Sequence, residues 1–463
     1  MRKITKIVII FIIGILAILT RLLFLDLRPV HHDEGVNYFF ADNILDGRGF
    51  RYAPLNYHGP SYFFVLFFSF FILGISELSL RLPAALFGII LVCAPLFLKS
   101  RKEYNKYILS AFFLVSPSIM YYSRYSIHEI LFVLLSFVSV YCLILIIEKK
   151  NLEYLPLFGV ALALLLTTKE TVIIMIFIMA VICIFNYRDL KKINLNDKKN
   201  IFFSIILFVL IYVVLFTSFF TNFYGLSDSF KGYVPWTERG FTEPGHVKPF
   251  NYYFMLLTEY ELPLVLLSIF GLGFVYRKRD NIFIKSMAIW FILVFFIYSS
   301  ISYKTPWLIV NISVPMTIMA SIGINSLNNN KLRNIFIILS VIYLGLFSLY
   351  LNFVNPWQEN NLFAYVHTDK DILNLIKELN SVYRENYKIL IVSDIYWPLP
   401  FYLEGKNVEY LDKIEELDYE EYKSYDIFIV KNEIFSRSML PKEYISKEYK
   451  LRGGEIVYLV HKK

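Results

Sequence analysis

Apolar and polar positions alternate along this chain on the scale of whole helices. Predominantly apolar runs fall near 7–25, 81–98, 107–122, 128–147, 153–168, 171–186, 201–220, 253–275, 282–301, 306–326 and 333–352. Most are close to the roughly 20 residues that carry a helix across a hydrocarbon core of about 30 Å. The pattern predicts about eleven transmembrane helices. One further run, SYFFVLFFSFFILGI at 61–75, is short, because fifteen helical residues cover only about 22 Å. After about residue 352 the period changes. DILNLIKELNSVY has helical spacing, whereas YKILIVSD, YDIFIVKNE and EIVYLVHKK have the spacing of strands. The expected fold class is thus a mainly α polytopic membrane protein. It comprises a transmembrane domain over 1–352, with a first external loop at 26–60, and a small soluble α/β domain over 353–463.

Composition agrees, since 57% of the 463 residues are hydrophobic and the mean hydropathy is +0.53. A net charge of +8 would suit a nucleic-acid partner if it were gathered on one soluble surface. Here Lys and Arg fall in the breaks between apolar runs, where they read as topology signals, and no nucleic-acid partner is expected. If 61–75 is re-entrant or interfacial, the clusters Lys99-Arg101-Lys102, Lys149-Lys150, Arg188-Lys191-Lys192-Lys198-Lys199, Arg277-Lys278-Arg279 and Lys331-Arg333 all share the N-terminal side. That side is cytoplasmic by the positive-inside rule. HHDEG, YHGP, RLP, YYSRYSIHE, TTKET, the loop 221–250 and SYKTPW then all face outward, as does the C-terminal domain. Were 61–75 to cross, every later cluster would invert. Arg2, Lys3 and Lys6 resemble the start of a signal peptide, but the following run is long enough to span and no small-residue cleavage site follows, so an uncleaved first helix is expected. Cys93, Cys142 and Cys183 lie inside apolar runs, where they read as packing residues.

Candidate chemistry gathers in the outward patches. Asp33 and Glu34 are consecutive and so point in different directions; one can face a reacting group while its neighbour orients the loop. A partly desolvated carboxylate has its pKa raised toward that of a useful general base. An incidental acidic pair on a solvated loop fits the same dipeptide. His31 and His32 lack the i, i+4 spacing that puts two metal ligands on one helical face, and hydrogen bonding explains them more simply. No metal site is expected from them, although a divalent cation is compatible with the composition. His58, Arg81, Arg124 and Lys304 form a cationic set near membrane depth, where charge is costly and marks either a function or a pairing partner. Arg and Lys bind phosphate through charge-assisted hydrogen bonds; snorkelling toward headgroups is the alternative. Glu129, Lys169 and Glu170 also interrupt apolar sequence. The loop 221–250 mixes Tyr233, Trp236, Glu238, Arg239, Phe241, Glu243 and His246 with glycines and prolines, a composition suited to a lid over a sugar or a lipid head.

Taken in order, HHDEG, YHGPSYFF, LRLPAALFG and SPSIMYYSRYSIHE resemble the membrane glycosyltransferases of the C-type fold, in particular the protein O-mannosyltransferase and aminoarabinose transferase branch. TTKET, YKTPW, NPWQENNLFAYVHTD and YWPLPFYLEG are similar to the prokaryotic group of flippase-activity-associated proteins. The resemblance implies a C-type glycosyltransferase fold. It also implies transfer of a sugar from a polyprenyl- or dolichyl-phosphate donor to a glycan or protein hydroxyl outside the cytoplasm, with inversion. It matches Asp33 to the family's catalytic aspartate with Glu34 as support, His58 to the element at the donor phosphate, and Arg81 to an arginine near the lipid phosphate. Arg124 and Lys304 join the phosphate set, with Glu129, Lys169, Glu170, Trp236, Glu238 and Arg239 as acceptor or loop contacts. One departure is that Gly59 precedes Pro60 where the family usually has two prolines. A non-catalytic partner in moving lipid-linked sugars across the membrane would use the same phosphate-binding cations without needing Asp33 as a base.

Overall fold

The computed structural model describes residues 3–54, 58–99, 101–242, 246–358, 360–411, 424–433 and 444–462. The chain divides into two compact units. One comprises Met1–Leu25 with Asn43–Val354, and the other Asp26–Asp42 with Asn355–Lys463.

In the first unit every predicted apolar run is helical, but the runs differ in length. Among the described residues seven helices are long and apolar enough to cross a membrane: Ile4–Leu22, Glu77–Phe97, Glu129–Lys149, Lys198–Phe216, Ile282–Ser300, Pro306–Asn325 and Asn330–Val354. The helices Tyr252–Tyr260 and Leu262–Arg277 are long and apolar enough only as a pair, and they meet at a bend of 111°, the geometry of a broken span or a re-entrant loop. The protein is a multi-pass membrane protein with fewer full-length spans than the eleven expected. The shortfall has local causes. The run 107–122 breaks at Ser116, which is extended ahead of Pro117 as pre-proline residues prefer, leaving helices Lys106–Val115 and Pro117–Tyr122. Leu155–Leu166 and Val172–Phe185 have only 12 and 14 residues. The bend at Glu261 precedes Pro263, which has no N–H to carry the helical ladder across.

Side-chain bonds show which ends of the helices lie together. At one end Arg101 makes two bonds to Glu148, 2.9 and 2.5 Å. There too Asn281 donates to Glu103 at 2.7 Å, Asn325 to the Lys102 carbonyl at 2.9 Å, and Lys150 pairs with Asp189 at 3.8 Å. The basic clusters therefore share one end of the unit. At the opposite end Arg81 donates to the Leu25 carbonyl at 2.5 Å and Lys169 pairs with Glu129. The helix Ser61–Leu73 is tied to this second end at both its termini. Its Ser61 N–H donates to the Thr167 carbonyl at 2.9 Å, and its Ser69 hydroxyl to the Ser79 carbonyl at 2.6 Å.

The second unit contains a five-stranded sheet of order β2-β1-β3-β5-β4, made from β1 Ile389–Val392, β2 Val408–Leu411, β3 Ile427–Lys431, β4 Tyr444–Arg452 and β5 Glu455–Lys462. The three strands β2, β1 and β3 are parallel, and β5 joins β3 antiparallel. Alternation in ILIV sends Ile389 and Ile391 into a core with Ile372, Leu375 and Leu379 of the helix Asp371–Val382, and Leu390 and Val392 into a second core with Phe428 and Val460. Both faces of β1 are covered, which is why it is apolar throughout. The segment 26–42 is stitched onto this unit. Val30 N–H donates to the Tyr402 hydroxyl at 2.8 Å, and the Thr368 hydroxyl donates to the Val30 carbonyl at 2.7 Å.

Candidate active site

The HHDE stretch opens the helix His32–Leu45. Glu34 is fully buried, and its carboxylate accepts the His31 N–H at 3.0 Å. This is the returning half of a capping box, in which the third helical residue satisfies the backbone N–H of the cap. His31 accepts the Asp33 N–H at Nδ1, 3.1 Å, so its proton sits on Nε2 and is donated to the Tyr365 carbonyl at 2.9 Å. Burial lowers its pKa to about 4, keeping it neutral. Both ring nitrogens are used, so His31 is a structural residue. Asp33 is left with its side chain 35% exposed, 3.9 Å from His32 Nε2. Arg452, at the end of β4, donates to His32 Nδ1, and the edge of His32 meets Trp397 at 6.2 Å. Sequence reasoning missed Arg452 and noted Trp397 only within the YWPLPFYLEG motif, because nothing local in either segment points to a residue some four hundred positions away. Gly35 is required by the same junction, since a Cβ there would lie 2.9 Å from the Pro398 side chain.

The first unit holds a polar centre around His58. His58 Nδ1 lies 2.7 Å from Glu170 Oε2, and the Tyr52 hydroxyl donates to Glu170 Oε1 at 2.6 Å. Trp236 stacks on His58 at 4.5 Å with a 24° interplanar angle, Arg239 lies over Trp236 at 5.0 Å, and His128 meets His58 at 5.0 Å. Lys169 and Glu129 form a buried ion pair beside them. Gly59 sets the approach, because a Cβ there would lie 2.4 Å from the Thr167 carbonyl oxygen. This requirement accounts for glycine where the resemblance leads one to expect proline. Burial is the larger cause of two shifts. It raises the Glu170 carboxyl to about 7, and it lowers the His58 imidazole well below its ordinary value with help from the Lys169 charge. His128 Nε2 and Trp236 Nε1 are buried with no hydrogen-bond partner among the described residues. Unsatisfied buried polar atoms are uncommon and call for an explanation such as a ligand. Tyr52 also lines a cavity of about 920 Å³, walled by Phe64, Phe67, Phe68 and Phe219 with Arg48 and Arg51 among its polar residues.

The other expected phosphate ligands are engaged differently. Arg124 donates to the carbonyls of Thr20, Arg21, Leu23 and Phe24 at 2.8–3.2 Å. It closes the C-terminus of the first helix, where unsatisfied carbonyls gather. Arg21 does the same for the helix Lys106–Val115, through Phe113 and Leu114 at 3.1 and 2.9 Å. Lys304 donates to the Ile301 and Lys248 carbonyls, and Arg81 to that of Leu25, with Glu77 at 3.8 Å. Arg124, Lys304 and Arg81 thus hold helix ends and chain segments. Arg124→Met is accordingly expected to cost about 2–3 kcal/mol, the desolvation penalty of one or two stranded carbonyls. The check is thermal unfolding in detergent with the prenyl-phosphate affinity measured alongside: a fall in melting temperature with affinity kept agrees, and the reverse would make Arg124 a phosphate ligand.

Loop 221–250 contains the helices Tyr224–Lys231 and Tyr233–Thr242. Glu238 is exposed on the second of these, whereas Glu243 lies outside the described residues. Glu261 is a buried residue that sequence reasoning passed over inside the run 253–275. Its Oε1 accepts from the Ser116 hydroxyl at 2.8 Å and from the Ser118 N–H at 2.9 Å. The signal was the sequence ELP, an acid just ahead of a proline break. Among the described residues no three His, Cys, Asp or Glu side chains gather as metal ligands would.

Over 98% of this chain and 97% of the other, the structure superposes on ArnT from Cupriavidus metallidurans bound to undecaprenyl phosphate, with a TM-score of 0.66 at 12% identity. Its fold is that of ArnT. The apo form of the same ArnT superposes with a TM-score of 0.65, also at 12% identity and the same coverage. Residues 57–217 match the family described as dolichyl-phosphate-mannose-protein mannosyltransferase. That segment takes in His58, Arg81, Arg124, Glu129, Lys169 and Glu170, whereas Tyr52, Trp236 and Arg239 of the same polar centre lie outside it. No curated protein matches the chain in sequence.

Proposed function

We propose that the protein is an inverting glycosyltransferase that moves a sugar from a polyprenyl- or dolichyl-phosphate donor to an acceptor hydroxyl outside the cytoplasm. The observation that carries this reading is the polar centre at His58, where His128 Nε2 and Trp236 Nε1 are buried without a partner among the described residues, and whose His58, His128, Glu129, Lys169 and Glu170 lie inside the segment that matches the dolichyl-phosphate-mannose-protein mannosyltransferase family. The ArnT structure that contains undecaprenyl phosphate supports a lipid-linked donor. The grouping of basic clusters at one end of the membrane unit supports a cytoplasmic placement of that end, with His58 outside.

In the proposed reaction the acceptor oxygen attacks the anomeric carbon while Asp33 takes its proton. The bond from that carbon to the phosphate oxygen breaks, and the lipid phosphate leaves with the electron pair. His58 and Arg239 balance the charge that develops on the departing phosphate. Glu34 supports Asp33 by fixing the first turn of its helix, and Trp236 covers the imidazole. A single displacement inverts the sugar. The test is to incubate purified protein with a panel of prenyl-phosphoryl sugars and membrane extract, and to assign the anomer of the product by NMR. An inverted product from one donor class agrees with the mechanism; a retained configuration contradicts it.

A further inference from the structure

We propose that Glu170 and Tyr52 are positioning residues that set the charge of His58, so that the donor phosphate is held only when the His58–Glu170 pair carries one extra proton. This rests on the reading of His58 as a phosphate-holding residue. The geometry is specific. Tyr52 precedes the helix Ser61–Leu73, and Glu170 lies in the turn ahead of Val172–Phe185. The Tyr52 hydroxyl donates to Glu170 Oε1, which leaves Oε2 for the imidazole at 2.7 Å. Against an ionised carboxylate, Nδ1 must carry the hydrogen. A neutral ring then presents a lone pair at Nε2, which repels a phosphate oxygen instead of binding it. One more proton turns Nε2 into a donor and leaves a carboxylate behind the imidazolium as its counter-charge.

The surroundings place that proton near neutrality. Around His58 stand Glu170, the stacked Trp236, the edge of His128, the Lys169–Glu129 pair and Arg239 beyond Trp236. Lys169 and Glu129 largely cancel, and Arg239 disfavours a charged ring. Burial, which raises Glu170 to about 7 and lowers His58, means the empty pair loses its shared proton as the pH passes about 7. An arriving anion adds the attraction that localises the proton on the ring. Binding therefore takes up a proton, and affinity falls as pH rises above about 7.

The experiment uses the full chain in phosphatidylcholine nanodiscs and a synthetic prenyl-phosphoryl-mannose, a diester lacking the second ionisation near pH 6 that a phosphate monoester has. The prenol of equal length is the control. For the wild type, affinity for the diester should fall by up to tenfold per pH unit above pH 7. Glu170→Gln should bind about tenfold more weakly at pH 7, with its decline moved to lower pH. A His58→Lys, Glu170→Gln double variant, whose cation needs no carboxylate, should bind at wild-type strength with a flat profile, and it keeps the test valid if the single variant fails to fold. A flat wild-type profile, or a Glu170→Gln loss equal at every pH, would overturn the proposal while sparing the transferase reading. Wild-type protein that binds the diester no better than the prenol at any pH would overturn both.

Discussion

Asp33→Asn is expected to slow sugar transfer by about 10²–10⁴-fold, the usual worth of a positioned general base. The substitution keeps the side chain's size, and Asp33 is about one-third exposed at the start of a helix whose first turn is fixed by other groups, Glu34 and His31. Folding should therefore survive. The predicted pattern is a lowered kcat with donor KM and melting temperature close to wild type, since a base acts only as the acceptor proton leaves. Glu34→Gln is the informative neighbour. It should cost about 1 kcal/mol through the weakened cap and leave the rate per folded molecule nearly unchanged. Transfer by Asp33→Asn within threefold of wild type would place the base elsewhere.

Lys169→Met is expected to destabilise the membrane unit by about 3–5 kcal/mol, because it leaves the Glu129 carboxylate buried without its counter-charge. Both side chains are more than nine-tenths buried, 7% and 3% exposed, so water does little to screen them. Replacing both residues by methionine should recover most of the loss, since an apolar pair of similar volume carries no desolvation cost. Thermal unfolding of the two single variants and the double variant measures the coupling. Equal losses in single and double variants would show that the pair acts through packing alone.

Periodicity exposed the architecture wherever it was long. Each apolar run is helical, and YKILIVSD, YDIFIVKNE and EIVYLVHKK contain strands β1, β3 and β5. Helix breaks were harder to foresee, because Ser116-Pro117 and the bend at Glu261 interrupt runs whose hydropathy alone is continuous. The short run at 61–75, expected to be re-entrant or interfacial, has both ends bonded to one end of the membrane unit. Sequence marked His58, Glu129, Lys169 and Glu170 as candidates, yet Tyr52 carries no local signal, and His128 stands out only as part of the YYSRYSIHE motif. Arg124 and Lys304 show the converse. A cation amid apolar sequence signals an unmet electrostatic need, and here carbonyls at helix ends and of the segment at Lys248 supply that need. Asp33 and Glu34 are adjacent in the chain but sharply different in burial, which only the capping geometry of their helix reveals.

The chemistry proposed for this chain stands on the severing of a sugar from its lipid phosphate. The measurement that tests it most directly follows doubly labelled prenyl-phosphoryl-mannose, with radiolabels on sugar and lipid, in proteoliposomes supplied with membrane glycan. Equal amounts of lipid-free sugar product and of free prenyl phosphate are predicted, appearing with wild type and absent with Asp33→Asn. If both labels stay in one intact molecule that merely changes leaflet, and do so equally with wild type and variant, the protein moves lipid-linked sugars and does not transfer them.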